Sequence, residues 1–179
     1  MIAAGITGGN VTIENVVPDH LKPVIAKLKD ANIAVEETEN GINVYSNGLH
    51  LPTDIKTLPY PGFPTDMQAQ FMALLTVTEG TSVVIETVFE NRFMHVGELK
   101  RMGANIKIEG RTAVIEGVSK LTGAQVRATD LRAGAALMLT ALKADGKTEI
   151  SDIHHIQRGY NGIEDKLNML GAKIKKTSL

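Results

Sequence analysis

A strand, an amphipathic helix and a second strand recur three times along this chain, and a repeat of that kind limits the fold more than any other feature of the sequence. The first copy opens with Val11-Thr12-Ile13-Glu14-Asn15-Val16, continues as a helix ending Leu28-Lys29-Asp30-Ala31-Asn32, and closes with Ile33-Ala34-Val35. The second runs from Val83-Val84-Ile85-Glu86-Thr87-Val88 through a helix ending Leu99-Lys100-Arg101-Met102-Gly103 to Ala104-Asn105-Ile106-Lys107-Ile108. The third runs from Thr148-Glu149-Ile150-Ser151-Asp152-Ile153 through a helix ending Leu167-Asn168-Met169-Leu170-Gly171 to Ala172-Lys173-Ile174-Lys175. Asparagine or glycine after each last turn predicts a left-handed C-cap.

A different helix lies between the units. Thr65-Asp66-Met67-Gln68-Ala69-Gln70-Phe71 and Thr129-Asp130-Leu131-Arg132-Ala133-Gly134-Ala135 open alike and continue as apolar runs, Phe71 to Val77 and Ala135 to Leu142, with hydrophobic residues on nearly every face. Such helices belong inside a domain. The repeat-unit helices carry only a stripe, as in Leu21, Val24, Ile25 and Leu28 or Ile163, Leu167 and Leu170, and belong outside with one face down. The expected architecture is α/β, with pseudo-threefold units whose buried central helices are surrounded by sheets and outer amphipathic helices. A chain of 179 residues, 43% of them hydrophobic, supports one such domain, here 1–179.

Met1 to Gly9 lines up with Met138 to Gly146, the last half of a central helix. The expectation is therefore a C-terminal domain truncated at its N-terminal end, with a partner domain upstream.

The net charge of −1 gives no overall field toward nucleic acid or an anionic membrane, so any anion site has to be local. With no cysteine there is no disulfide, thiolate ligand or cysteine nucleophile in the chain, and the five histidines lack zinc-motif spacing. No metal and no cofactor are expected. The first residues are not a signal peptide, and no apolar run is long enough to span a bilayer, so a cytoplasmic location is expected.

The informative polar residues gather at helix entries. Asp66 and Asp130 stand at corresponding starts of the two central helices, with Arg132 two residues on; Arg92 and Arg158 follow the first strands of the second and third units. Under pseudo-threefold symmetry these junctions share one end of the domain, where helix N-termini and forked guanidinium donors suit an anion. Each also has a plainer reading: Thr65, Asp66, Thr129 and Asp130 as caps, and Arg92, Arg132 and Arg158 as solvated arginines. Pro59 to Pro64 reads as a rigid approach to Asp66 or, equally, as an ordinary proline-rich turn, and Gly159 as a tight turn. No nucleotide-binding glycine fingerprint follows a strand.

Four stretches, Pro61 to Gln70, Glu86 to His95, Ala128 to Gly134 and His155 to Tyr160, closely resemble the UDP-N-acetylglucosamine 1-carboxyvinyltransferase family in residues and order. The resemblance covers essentially the whole chain. It implies the two-domain enolpyruvyl transferase fold, an inside-out α/β barrel, with the active site between domains and phosphoenolpyruvate and UDP-N-acetylglucosamine as substrates in the first committed step of peptidoglycan synthesis. Carried over by motif, Asp66 resembles the acid/base that takes the sugar hydroxyl proton, a role that suits a carboxylate whose pKa substrate and a closed cleft shift toward the working pH. Arg132 and Arg158 resemble the pair on the phosphoenolpyruvate carboxylate. Arg92 resembles the arginine aiding the UDP-sugar and domain closure, Val88 and Phe89 the segment contacting the amino sugar or its diphosphate, and Asp130 and Leu131 the closing interface. The family's lysine, asparagine, further arginine and cysteine loop have no counterpart in these residues, so this piece alone is expected to be inactive. Two other readings are a shikimate 3-phosphate enolpyruvyl transferase and a non-catalytic anion-binding paralogue.

Overall fold

The computed structural model describes residues 1–177. Its elements follow the repeat. A short helix α1 (Ile2–Thr7) leads into β1 (Gly9–Glu14), α2 (Lys22–Asp30), β2 (Ala34–Thr38) and β3 (Gly41–Ser46). The second unit comprises β4 (Ile55–Lys56), α3 (Gln68–Leu75), β5 (Thr81–Ile85), α4 (Val96–Arg101), β6 (Asn105–Glu109) and β7 (Thr112–Glu116). The third comprises β8 (Gln125–Arg127), α5 (Leu131–Lys143), β9 (Glu149–Ser151), α6 (His154–Gln157) and α7 (Ile163–Met169).

The sheets repeat their order as well as their elements. The first is β1-β3-β2 and the second β4-β5-β7-β6, so in both units the hairpin strand lies between the two strands flanking the amphipathic helix. Both hairpin strands pair antiparallel with both of their neighbours, Val44 with Val11 and Val35, and Val114 with Val83 and Lys107. In contrast, β4 with β5 and β8 with β9 are parallel, and the connection between each pair is a central helix, α3 or α5. Parallel neighbours need such a crossover because the chain must return to the starting edge before running forward again.

Helix ends show the repeat at the level of single hydrogen bonds. Asn32, Gly103 and Gly171 have φ of 63°, 96° and 102°. Each is followed by an N–H that reaches back over the last turn: Ile33 to the Leu28 carbonyl at 2.9 Å, Ala104 to Leu99 at 3.1 Å and Ala172 to Leu167 at 3.0 Å. This is the Schellman closure, and the leucine that accepts the bond is buried in every copy. Truncating Leu28 or Leu99 to alanine removes a side chain with no exposure and costs about 2–5 kcal/mol.

At the centre α1, α3 and α5 pack against one another. Every residue of α3 is buried. The longer α5 buries Ala133, Gly134, Ala136, Leu137, Met138 and Thr140, whereas Ala135, Leu139 and Leu142 are only half-covered, so it is less enclosed than its apolar run suggests. Two further expectations need correction. Leu170 is 64% exposed, leaving Leu167 and the half-buried Ile163 as the inward positions of α7. The stretch 172–175 forms no strand: β2 and β6 are each held only by the hairpin strand that follows them, and no such strand follows here among the described residues.

Candidate active site

Parallel crossovers decide where the polar residues meet. The carboxyl ends of β4, β5, β8 and β9 lead respectively to Asp66, to Arg92, to Asp130 with Arg132, and to Arg158. Since α3 and α5 lie side by side, the carboxyl ends of both strand pairs come to one rim of the molecule, the end at which open α/β sheets bind ligands.

Asp66 is at the middle of that rim. One carboxylate oxygen accepts a hydrogen bond from an Arg92 Nη at 2.8 Å, and the other accepts one from an Arg132 Nη at 2.5 Å. The carboxylate is 56% exposed, while the two arginine side chains are only 24% and 26% exposed. The cations are seated in the protein and the anion faces outward. The Arg132 hydrogen bond, with Arg92 adding to it, holds the Asp66 carboxyl below the usual carboxylate range against the opposing effect of partial burial. Without substrate, two guanidinium groups favour the ionised form of Asp66.

The two Thr-Asp openings, alike in sequence, do different things. Asp130 is a helix cap: its Oδ1 accepts the Arg132 N–H at 2.8 Å and the Ala133 N–H at 2.9 Å. Asp66 caps nothing; the helical chain there begins with a 3-10 turn, Thr65–Met67, that has no side-chain cap. Thr65 instead donates its hydroxyl proton to Glu86 at 2.9 Å.

Glu86 escaped the sequence reading. It is buried, and its carboxylate accepts hydrogen bonds from the hydroxyls of Thr57 and Thr65 and from the N–H groups of Val88 and Phe89. The signal was present in the alternation of β5, where Ser82, Val84 and Glu86 take successive inward positions and the last is a carboxylate. One consequence bears on Val88 and Phe89. Their side chains are exposed at the rim, but their N–H groups are directed inward to Glu86 and are already used. The Phe89 ring lies under Arg92, with the guanidinium carbon 4.9 Å from its centroid.

Arg158 reaches the same rim by a different route. Gly159 lies so close to Leu131 that a Cβ would sit 2.8 Å from its Cδ1, and Gly134 lies against Ile156 in the same way, at 2.4 Å from Cγ1. Gly159 lies in the turn expected of it, its N–H bonded to the Ile156 carbonyl at 3.2 Å, and it also serves close packing. This contact places α6 and the residues after it beside the start of α5. Tyr160 accepts a hydrogen bond from the Gln70 amide at 3.2 Å and also meets Arg132. The Arg158 side chain itself is exposed and makes no hydrogen bond or ion pair among the described residues, so the structure gathers Asp66, Arg92 and Arg132 into one cluster that does not include Arg158.

Behind the cluster lies His95, 2% exposed, whose pKa burial lowers to about 4 against the opposing influences of Asp130 and of the Arg92 backbone. Among the described residues, the buried side-chain atoms without a partner are on Gln68, Gln70, Arg92, His95, Arg132 and Thr148, and all but the last belong to this end of the molecule. Polar atoms left unpaired inside a protein are costly and concentrate where function requires them. The described residues contain no cluster of histidine and carboxylate side chains able to hold a metal ion. None of their helices is long and apolar enough to cross a membrane.

A family model described as EPSP synthase (3-phosphoshikimate 1-carboxyvinyltransferase) matches residues 1–167. Among curated relatives, UDP-N-acetylglucosamine 1-carboxyvinyltransferase 1 of Caldanaerobacter subterraneus subsp. tengcongensis is 65% identical over 174 residues, covering 97% of this chain and 42% of that protein. UDP-N-acetylglucosamine 1-carboxyvinyltransferase of Desulfofundulus thermocisternus is 59% identical over 97% of this chain and 72% of that sequence. This chain belongs to the UDP-N-acetylglucosamine 1-carboxyvinyltransferase family.

Structural comparison agrees on the fold. The enolpyruvyl transferase NikO from Streptomyces tendae superposes with a TM-score of 0.85 at 27% identity, over 97% of this chain and 42% of that one. EPSP synthase from Acinetobacter baumannii gives 0.74 at 16% identity, which shows the shared enolpyruvyl transferase fold alone. The α/β architecture of threefold units is thus that of the UDP-N-acetylglucosamine 1-carboxyvinyltransferases and their structural kin. The chain spans 42% of the length of the Caldanaerobacter relative and 72% of that of the Desulfofundulus one.

Proposed function

We propose that this chain is the C-terminal lobe of a UDP-N-acetylglucosamine 1-carboxyvinyltransferase, a cytoplasmic bacterial enzyme that moves the enolpyruvyl group of phosphoenolpyruvate to the sugar 3-hydroxyl and releases phosphate in the first committed step of peptidoglycan synthesis. The observation that carries this reading is the Asp66 carboxylate held between Arg92 and Arg132 at the carboxyl ends of parallel strands. The identity of 59–65% to family members over nearly the whole chain supports the choice of acceptor.

In this reading the sugar oxygen attacks C2 of phosphoenolpyruvate and its proton passes to Asp66, while C3 gains a proton from an acid on the opposing lobe. Loss of a proton from C3 and departure of phosphate from C2 then restore the double bond. The ionised state of Asp66 suits a proton acceptor, but two guanidinium partners also make it a weak one. Arg132, together with Arg158, is the group that the substrate carboxylate would recruit by forked hydrogen bonds. Drawing Arg132 toward substrate takes away the larger of the influences that keep the Asp66 pKa low. Binding of phosphoenolpyruvate would thereby turn Asp66 into a competent base only when there is something to react with. Arg92 remains to orient the carboxylate from its seat over Phe89.

The experiment is a chimera in which this chain replaces the matching 174 residues of the Caldanaerobacter relative. It is expected to release phosphate from phosphoenolpyruvate only when UDP-N-acetylglucosamine is present, while this chain alone shows no turnover and only weak heats with either ligand in isothermal titration. A folded chimera that releases no phosphate, or that prefers shikimate 3-phosphate, contradicts the reading.

A further inference from the structure

Glu86 is buried to 1% exposure, yet among the described residues no lysine, arginine or histidine nitrogen lies within ion-pair distance of it. A carboxylate taken out of water without a cation is costly unless its lone pairs are all used. Here four donors converge on the carboxylate. Oε1 accepts from the Thr57 hydroxyl at 2.8 Å, the Val88 N–H at 2.8 Å and the Phe89 N–H at 3.1 Å, and Oε2 accepts from the Thr65 hydroxyl at 2.9 Å. Thr57 is itself tied to the same turn, accepting the Thr87 N–H at 2.9 Å while its carbonyl accepts the Thr87 hydroxyl proton at 2.5 Å.

The partners of Glu86 explain what such a site accomplishes. Thr65 immediately precedes Asp66, and the turn through Val88 and Phe89 leads directly to Arg92, which pairs with Asp66 at 2.8 Å. The two halves of that ion pair come from segments 26 residues apart in the sequence, and Glu86 grips both just before the reacting side chains emerge. Burial within a network of this kind fixes backbone positions that an exposed ion pair cannot fix by itself, since an exposed pair contributes little and leaves its side chains mobile.

We propose that Glu86 is a positioning residue, whose buried carboxylate locks the Thr65 and Val88-Phe89 segments together so that Asp66 and Arg92 are held at hydrogen-bonding distance. It touches neither substrate in this arrangement and acts through its neighbours. The proposal rests on the transferase reading for its catalytic consequence, whereas the geometric part stands without it.

Two measurements separate these parts. The first is a carbon-detected NMR titration of the Asp66 carboxyl in this chain. In Glu86→Ala the cradle is gone, Arg92 is released, and the Asp66 midpoint moves up toward the ordinary carboxylate range. In Glu86→Gln, Oε1 keeps its three donors and the Thr65 hydroxyl can accept from the new amide, so Asp66 stays low. A purely electrostatic role for Glu86 gives the opposite pattern, because loss of a neighbouring negative charge lowers Asp66 equally in both variants. Should Glu86→Ala fail to fold, Thr65→Val removes the Oε2 bond alone and is expected to raise the Asp66 midpoint part of the way. An unmoved midpoint in folded Glu86→Ala, or in Thr65→Val where that variant stands in for it, overturns the proposal, as does an equal downward shift in the alanine and glutamine variants.

The second measurement is turnover in the chimera, where Glu86→Ala is expected to lose about 10²-fold in kcat/KM, the cost of misplacing a reacting group by about 1 Å, with Glu86→Gln recovering most of it. A chimera without turnover sinks the transferase reading and leaves the NMR result to decide the role of Glu86. Full turnover in Glu86→Ala sinks the positioning role.

Discussion

Asp66 and Arg132 lie 66 residues apart in the sequence, and their side chains meet at 2.5 Å. Nothing local brings them together. They meet because β4-α3-β5 and β8-α5-β9 are the same crossover used twice, so that the N-termini of two neighbouring central helices open onto one rim. The resulting carboxylate with two guanidinium partners is an anion held ready by seated cations, in a chain whose net charge is only −1.

Replacing Asp66 by asparagine separates function from stability. Its carboxylate is half exposed, so loss of the ion pairs is expected to change unfolding free energy by no more than about 1 kcal/mol. Turnover in the chimera is expected to fall by about 10²–10⁴-fold, the usual effect of removing a general acid or base. Urea unfolding of the chain and phosphate release by the chimera measure the two quantities.

Asp130 should behave in the opposite way. Asp130→Ala removes a cap that satisfies two backbone N–H groups of α5, and is expected to cost about 0.5–2 kcal/mol in the same urea experiment. Asp66→Ala, with no cap to lose, should cost less than Asp130→Ala despite the matching sequence context.

Stability is expected to depend on pH through His95. Its folded-state pKa of about 4 lies below its ordinary value of 6.5, so between those limits the unfolded chain binds a proton that the folded chain does not. Stability is complete above pH 6.5 and is lost as pH falls toward 4, by on the order of 3 kcal/mol. The Asp66 contribution has the same sign but a lower window: it is present above the ordinary carboxylate pKa of 3.8 and disappears as pH falls below that value. Urea unfolding between pH 7 and pH 4.5 should show the slope in the native sequence, and His95→Gln should flatten it.

Gly159→Ala puts a Cβ within 2.8 Å of both Leu131 methyl carbons. The expected cost is about 1–3 kcal/mol, and the displacement should be felt at Tyr160 and therefore at Arg132. Amide chemical shifts of Tyr160 and of the first turn of α5 report it; unchanged shifts there would mean that the contact does not set the position of α6.

Much of this was legible before any coordinates. The three Schellman ends were announced by Asn32, Gly103 and Gly171, and the buried helix α3 by apolar residues on every face. The shared rim followed from repetition, because equivalent junctions of a repeated crossover must lie together. What remained hidden depends on contacts that no periodicity encodes. The Thr65-Asp66 and Thr129-Asp130 openings read identically, yet a proline-rich approach starts the first with a 3-10 turn and turns its aspartate outward to Arg92 and Arg132, whereas the second begins an α-helix directly. Glu86 looked like one more charged residue at a strand end until its four donors, drawn from three separate segments, were assembled around it. Leu170 fitted a helical stripe, but there is nothing opposite it to pack against among the described residues.

The central claim is that Asp66 and Arg132 act as one unit. A double-mutant cycle tests it most directly, with kcat/KM for phosphate release by the chimera measured for Asp66→Asn, Arg132→Ala and the pair together. The account predicts strong non-additivity, the double variant being no worse than the more damaged single variant. Losses that multiply in the double variant would mean that the two side chains work independently, and would contradict it.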